Sequence, residues 1–251
     1  MQITRTTAKL PPIIVTHGQP GVGKTTLAQN FPKPVFIQTE DGCPSGLEIE
    51  TFGLCENLAG VVEAIKHLGR ESHNYQSAII DSLDKLEPLI LAALCADRGY
   101  VSIESPGYGK GWVEADALWL DFLRGCNWLR RTRSMIIVLI AHSEIITVND
   151  PRVASYTSYQ LRLHKRARAL VEDSADLIGF LATDVIIKSE QGGLVRRAHA
   201  PMAARRAGCI VRGGRHLSPK IDTACLSVSG SRKPSISCPR WASSSRSRRR
   251  A

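Results

Sequence analysis

The run Gly18-Gln19-Pro20-Gly21-Val22-Gly23-Lys24-Thr25 constrains this chain more than any other stretch, because it meets G-x-x-x-x-G-K-[ST] at every fixed position. An apolar run, Leu10-Pro-Pro-Ile-Ile-Val-Thr, precedes it and reads as a buried strand, while Thr26-Leu27-Ala28 opens a helix that reaches about Asn30. In that setting the glycines let backbone N–H groups turn inward around phosphate oxygens. Lys24 then meets the β/γ-phosphates as a point charge, and the Thr25 hydroxyl ligates Mg²⁺. The nucleotide-binding set runs from Gly18 through Thr26. A chance glycine-rich turn is the plainer reading, and the complete motif between strand and helix stands against it.

Residues 1–200 alternate apolar runs with helical patterns, as a wound α/β domain does. Strands are expected at 35–38, 77–81, 135–141 and 177–182, and helices at 57–68, 83–98, 112–131 and 163–174. The second of these helices carries Leu83 at its start; the first places Leu58, Val61, Val62, Ile65 and Leu68 on one face. Segments 184–188 and 194–198, joined by a turn at Gln191-Gly192-Gly193, read as a C-terminal β-hairpin. The longest apolar stretches, such as 135–141, fall far short of the ~20 residues of a membrane span. The N-terminus lacks a signal-peptide apolar run, and seven cysteines without C-x-x-C spacing read as reduced thiols, so a cytoplasmic protein with no membrane association is expected.

The chain holds 33 Lys+Arg against 23 Asp+Glu, a formal charge of +10. Residues 201–251 contain twelve of those bases and one acid, Asp222, so residues 1–200 carry a net −1. The basicity therefore belongs to the last fifth of the chain and not to the α/β region. Residues 201–251 show no sustained period and end in an Arg/Ser-rich run, which predicts a disordered tail.

In Ser77-Ala-Ile-Ile-Asp81 an apolar strand ends in an acid, placed to serve as a second Mg²⁺ residue, although an Asp before Leu83 also suits a helix cap. A strand lies between the glycine-rich motif and Asp81, an order that indicates a sheet with another strand inserted between the two motifs. Directly after Asp81 stands Ser82, which offers no carboxylate to act as a base. Glu40, after the strand at 35–38, is the candidate base for orienting water, with Asp41 its competitor and a solvated acidic turn the plainer reading. His142, after the strand at 135–141, stands where a γ-phosphate sensor belongs, although a lone histidine more often serves packing.

Taken together, the motif at 18–25, Glu40-Asp41-Gly42, Ile79-Ile-Asp81-Ser82, Gly107-Tyr-Gly-Lys-Gly111, Leu139-Ile-Ala-His142-Ser143, and Leu163-His-Lys-Arg followed by Asp176 resemble the RecA-like P-loop (AAA-family) ATPases of tailed bacteriophages, which assist single-strand DNA annealing and recombination. The likeness covers most of residues 10–200. It implies a RecA-like α/β fold with a mostly parallel central sheet and helices on both faces. It further implies ATP and Mg²⁺ as cofactors, ATP hydrolysis, single-stranded DNA as partner, a homo-oligomeric ring or filament, and phage recombination proteins as associates in the host bacterial cytoplasm. It supports Glu40 as catalytic base and His142 as sensor alongside Lys24. Tyr108 and Lys110 could contact DNA by stacking and phosphate pairing, or their loop could be a glycine-rich connector. Arg130, Arg131 and Arg133 could approach a neighbouring subunit's phosphate, and 164–168 could touch DNA; solvated faces are the plainer readings of both.

Two other functions share the glycine-rich motif: a small-molecule phosphotransferase, which needs an arginine-rich lid not evident here, and a nucleotide-dependent loading or packaging partner without strong hydrolysis. The family pattern stops after Ala200, where relatives continue to a segment resembling Ala-Lys-Asn-Arg-Tyr-Gly. Discarding the first two nucleotides of allowed codons from Ala207 and reading on into Ser229 can give WVYCEGRPSLIAKNRYGMPERI, so residues from about Pro201 onward read as a frameshifted end, with an authentic basic tail as the alternative. On that reading residues 1–200 form a C-terminally incomplete ATPase domain.

Overall fold

A computed structural model describes residues 10–183, apart from 45, 150 and 153, together with the backbone of 207–213. The strands are β1 (Ile13–Gly18), β2 (Pro34–Gln38), β3 (Thr51–Leu54), β4 (Ser77–Asp81), β5 (Ile136–Val148), β6 (Tyr156–Leu161), β7 (Leu177–Thr183) and β8 (Ala207–Gly213). The helices are α1 (Lys24–Ala28), α2 (Leu58–Arg70), α3 (Leu83–Arg98), α4 (Lys110–Thr132) and α5 (Lys165–Ser174). The sheet runs β3-β2-β4-β5-β1-β7-β8, with β6 paired to the outer part of β5. Its pairings are parallel except β5 with β6 and β7 with β8.

The expectation of a mostly parallel α/β sheet with an inserted strand holds, and β5 is the strand that separates β1 from β4 in space. The strands that separate them in sequence, β2 and β3, lie on the far side of β4. A parallel sheet is buried on both faces, and all five residues of β4 are buried accordingly. One face carries Ile13, Val15, Ile37, Ile80 and Leu139 against α2, α3, α4 and α5. The other packs Phe36, Ile79, Val138 and Ile140 against Ala28 of α1.

Helix α2 shows how the sequence sets this packing. The Asn57 side chain accepts from Gly60 N at 2.9 Å and caps the helix. Val61, Ala64, Ile65 and Leu68 then fall on one buried stripe. At its last turn Gly69 lies against Trp128 of α4, where a Cβ would sit 1.8 Å from the indole. Arg133 fastens the same helix end, donating to Gly69 O and Glu71 O at 2.9 Å each.

Four departures from the sequence reading stand out. Strand β5 does not stop near Ala141 but runs on to Val148, and its extension forms a hairpin with β6. The glycine-rich motif leads into a helix of one turn and a half, ending at Ala28. Strand β3, exposed throughout, escapes a search for apolar runs. Within the segment expected to be structureless, Ala207–Gly213 forms an edge strand antiparallel to β7. The physical reason is local: Ile210 and Val211 are β-formers, and the unpaired edge of β7 offers a ladder of backbone partners that average tail composition conceals. The expected hairpin at 184–198 and the remainder of 201–251 lie outside the described residues.

Candidate functional site

Parallel pairing brings the ends of β1, β2, β4 and the inner part of β5 to one sheet edge. Gly18 is level with His142 on one side and Leu181 on the other, and Asp81 is level with Gln38 and Ile140. The loops that follow therefore converge, as expected for ligand sites at strand carboxyl ends.

Gly18 is fixed there by space as well as by register. A Cβ on it would meet Leu181 O of β7 at 2.5 Å and a methyl of Val22 at 2.9 Å. Gly21 and Gly23 adopt φ of 73° and 96°, left-handed values that glycine takes freely. Gln19, Pro20 and Gly21 are exposed, as is Thr26, whose carbonyl accepts from Asn30. Lys24 is buried and donates from Nζ to Gly18 O at 3.2 Å and Gln19 O at 3.1 Å. Burial lowers its ammonium's pKa, opposed by the carboxylates of Asp84, Asp81 and Glu40.

The Thr25 hydroxyl donates to Asp81 Oδ2 at 2.8 Å. Burial raises the Asp81 carboxyl, and this hydrogen bond works against the rise. A hydroxyl and a carboxylate side by side form the hard oxygen pair that suits Mg²⁺. Thr39, at the end of β2, holds the next peptide: its Oγ1 donates to Ser82 O at 2.7 Å and accepts from Ser82 N at 2.9 Å. Its own N–H donates to Asp81 O at 2.8 Å.

Glu40, Asp84 and His142 present side-chain ligand atoms within 4.8 Å of one another. Of the two acids considered for water activation, Glu40 is the half-buried one in this group, and Asp41 is exposed. Asp84, in the first turn of α3, accepts from His142 N at 2.9 Å, His142 Nδ1 at 2.7 Å and Arg162 Nη2 at 2.8 Å. Burial alone would raise the Asp84 carboxyl, but these donors outweigh it and hold it below the ordinary range. Arg162 closes the base of the β5–β6 hairpin, its N–H donating to His142 O at 2.9 Å.

Residues 11–205 match the AAA domain family. The chain belongs to the AAA domain family. No curated protein matches this AAA domain. Among solved structures, a crystal structure of the RadB recombinase aligns with it at a TM-score of 0.45 and 15% identity, covering 82% of this chain and 84% of the other.

Tyr108 and Lys110 lie elsewhere in this AAA domain, in the α3–α4 connection and at the start of α4. Tyr108 is fully exposed at φ 49°. Their loop is joined to α5 by Trp112, which stacks on His164 with centroids 3.9 Å apart and donates to Glu104. Arg130 pairs with Asp176 at 3.2 Å and Arg133 fastens α2, so both are committed within the chain. Arg166 is paired with Asp116, and Arg168 with Glu144 at 3.2 Å.

Sequence reasoning missed Thr39, Asp84 and Arg162. Thr39 had a signal, since it adjoins Glu40 at a strand end. Asp84 resembles any acid in a first helical turn, and Arg162 any solvated base.

Proposed function

We propose that this AAA domain is an ATP- and Mg²⁺-dependent ATPase acting in DNA recombination or single-strand annealing, working as a ring or filament on single-stranded DNA beside phage recombination proteins in the host cytoplasm. The observation that carries the ATPase reading is the convergence of Lys24, the Thr25–Asp81 pair, Glu40 and His142 on one sheet edge. The DNA reading is supported by the order of motifs that resembles the phage ATPases. Among the described residues no helix is long and apolar enough to cross a membrane.

ATP with Mg²⁺ supplies the phosphoryl group and the charge that neutralises it. The residues that would hold them are Gly18 through Thr26 for the phosphates and Thr25 with Asp81 for the metal. Lys24 offsets developing negative charge on the transferred group. Glu40 orients water and takes its proton, since its half-buried carboxylate lies beside the site and not within the Mg²⁺ pair. His142 presents its ring at the same edge, level with Gly18.

The test is ATP turnover with and without single-stranded DNA, in the full chain and in Lys24→Ala. The expected result is DNA-stimulated turnover that the variant loses together with nucleotide binding. Full function in Lys24→Ala defeats the nucleotide-driven mechanism. Normal ATP binding with no DNA retention and no stimulation defeats the recombination role.

A further inference from the structure

The nucleotide edge contains a second cation that motif reading passes over. Arg162 reaches Asp84 through Nη2 alone, and its side chain remains 48% exposed while that of Asp84 is 3% exposed. Its Nε and Nη1 make no hydrogen bond among the described residues. Arg162 is also one of the charges felt by Lys24, so the two cations share one electrostatic neighbourhood.

The proton arrangement at His142 follows from the short contacts. Nδ1 lies 2.7 Å from Asp84 Oδ2, an approach to a carboxylate oxygen that assigns the proton to Nδ1. Nη2 of Arg162 stands 3.0 Å from the same Nδ1, so imidazole and guanidinium are two donors converging on one oxygen. That leaves Nε2 as the ring atom available to a ligand. The group of Glu40, Asp84 and His142 therefore already has a cation of the protein's own on Asp84, and a metal ion there would have to displace it.

We propose that Arg162 is a binding residue for the terminal phosphate, acting within its own chain and stored on Asp84 until a nucleoside triphosphate arrives, and that Asp84 is the positioning residue that keeps His142 turned with Nε2 outward. A guanidinium held at one nitrogen, with the rest of its fork unused, can exchange a single contact for a bidentate one on phosphate. The inference rests on the ATP-binding reading above and adds to it a residue that discriminates triphosphate from diphosphate.

The experiment is calorimetric titration of the full chain with the β,γ-imido analogue of ATP and, separately, with ADP, both with Mg²⁺. Arg162→Ala should weaken the imido analogue roughly ten- to a hundredfold while leaving ADP within about twofold. Arg162→Lys, which keeps the charge but not the fork, should fall between. Asp84→Asn releases Arg162 and the His142 ring together, so its effect on the ring is read in the Arg162→Ala background, where it should weaken the analogue further and more than ADP. Arg162 is half exposed, and undiminished ADP binding in each variant shows that the fold is retained. Equal loss of both nucleotides, or no change in either, in Arg162→Ala overturns the proposal while the ATP-binding reading stands. Failure of the wild-type chain to bind either nucleotide overturns both.

Discussion

Removing the Thr39 hydroxyl at nearly constant shape tests how the site is held together. In Thr39→Val a methyl replaces Oγ1, so the N–H of Ser82, a fully buried residue, loses its partner, while the Ser82 C=O loses one bond and keeps the one from Leu86 N at 3.0 Å. The orphaned buried N–H costs about 1–3 kcal/mol and the lost bond to Ser82 O about 1 kcal/mol more, so the valine variant should lose roughly 2–4 kcal/mol. That is a large share of the ~5–15 kcal/mol by which a domain is stable. Thr39→Ser keeps Oγ1 and deletes only a methyl group, for about 1 kcal/mol. Both variants keep the 2.8 Å hydrogen bond from residue 39 N to Asp81 O, so the difference between them isolates the hydroxyl. Urea unfolding followed by circular dichroism supplies the number, read from the midpoint at unchanged slope. Mg²⁺-dependent nucleotide binding should weaken in the valine variant only, since Asp81 is carried by the peptide that loses its clamp. A valine variant as stable as the serine variant would refute the reasoning.

Further outcomes follow from the same geometry. Glu40→Gln should bind ATP normally and lose turnover by roughly 10²–10⁴-fold, measured by phosphate release at saturating nucleotide; turnover within a few-fold of wild type removes Glu40 from the role of base. Burial, with Lys165 and Arg166 nearby, lowers the His164 pKa, so on acidification the unfolded chain takes up this proton before the folded one does. His164 therefore contributes stability that is fully present above its unfolded pKa of about 6.5 and is lost as pH falls through that value toward the lower folded one. His164→Asn, which keeps a capping acceptor for Arg166 N, should flatten the fall in melting temperature between about pH 7.5 and 5.5. Identical slopes in variant and wild type would count against that assignment.

The elements were legible where one physical signal dominates. The stripe of Val61, Ala64, Ile65 and Leu68 announces α2, and the unbroken apolar run into Asp81 announces β4. The P-loop, Asp81, Glu40 and His142 could be placed on one edge before any coordinates, because parallel strands put all their ends together. Strand β6 could not, since Tyr156–Leu161 is half polar and is ordered by pairing with the far half of β5, not by its own pattern. Asp84 and Arg162 are 78 residues apart and acquire meaning only through the fold that joins them at 2.8 Å. Likewise, the arginines at 130 and 133 carry no sequence mark that distinguishes a brace from a phosphate ligand, and their partners Asp176, Gly69 and Glu71 decide the matter.

Strand β5 changes partners part-way along its length. Up to His142 it is locked between β1 and β4, and from Ser143 onward its strand pairing passes to β6, although Ser143 Oγ still meets His17 Nδ1 at 2.9 Å and Glu144 meets Arg168 at 3.2 Å. The seam is fastened by the Arg162 N–H on the His142 carbonyl. With Tyr159 stacked on Phe180 of β7, the near part of the hairpin belongs to the body, and it is the far end that can change length without altering a contact of the nucleotide edge. Variation among relatives should therefore accumulate in the length of the hairpin, while the spacing from Gly18 to its seam stays constant, and grafted tips offer a route to new partners for an unchanged core.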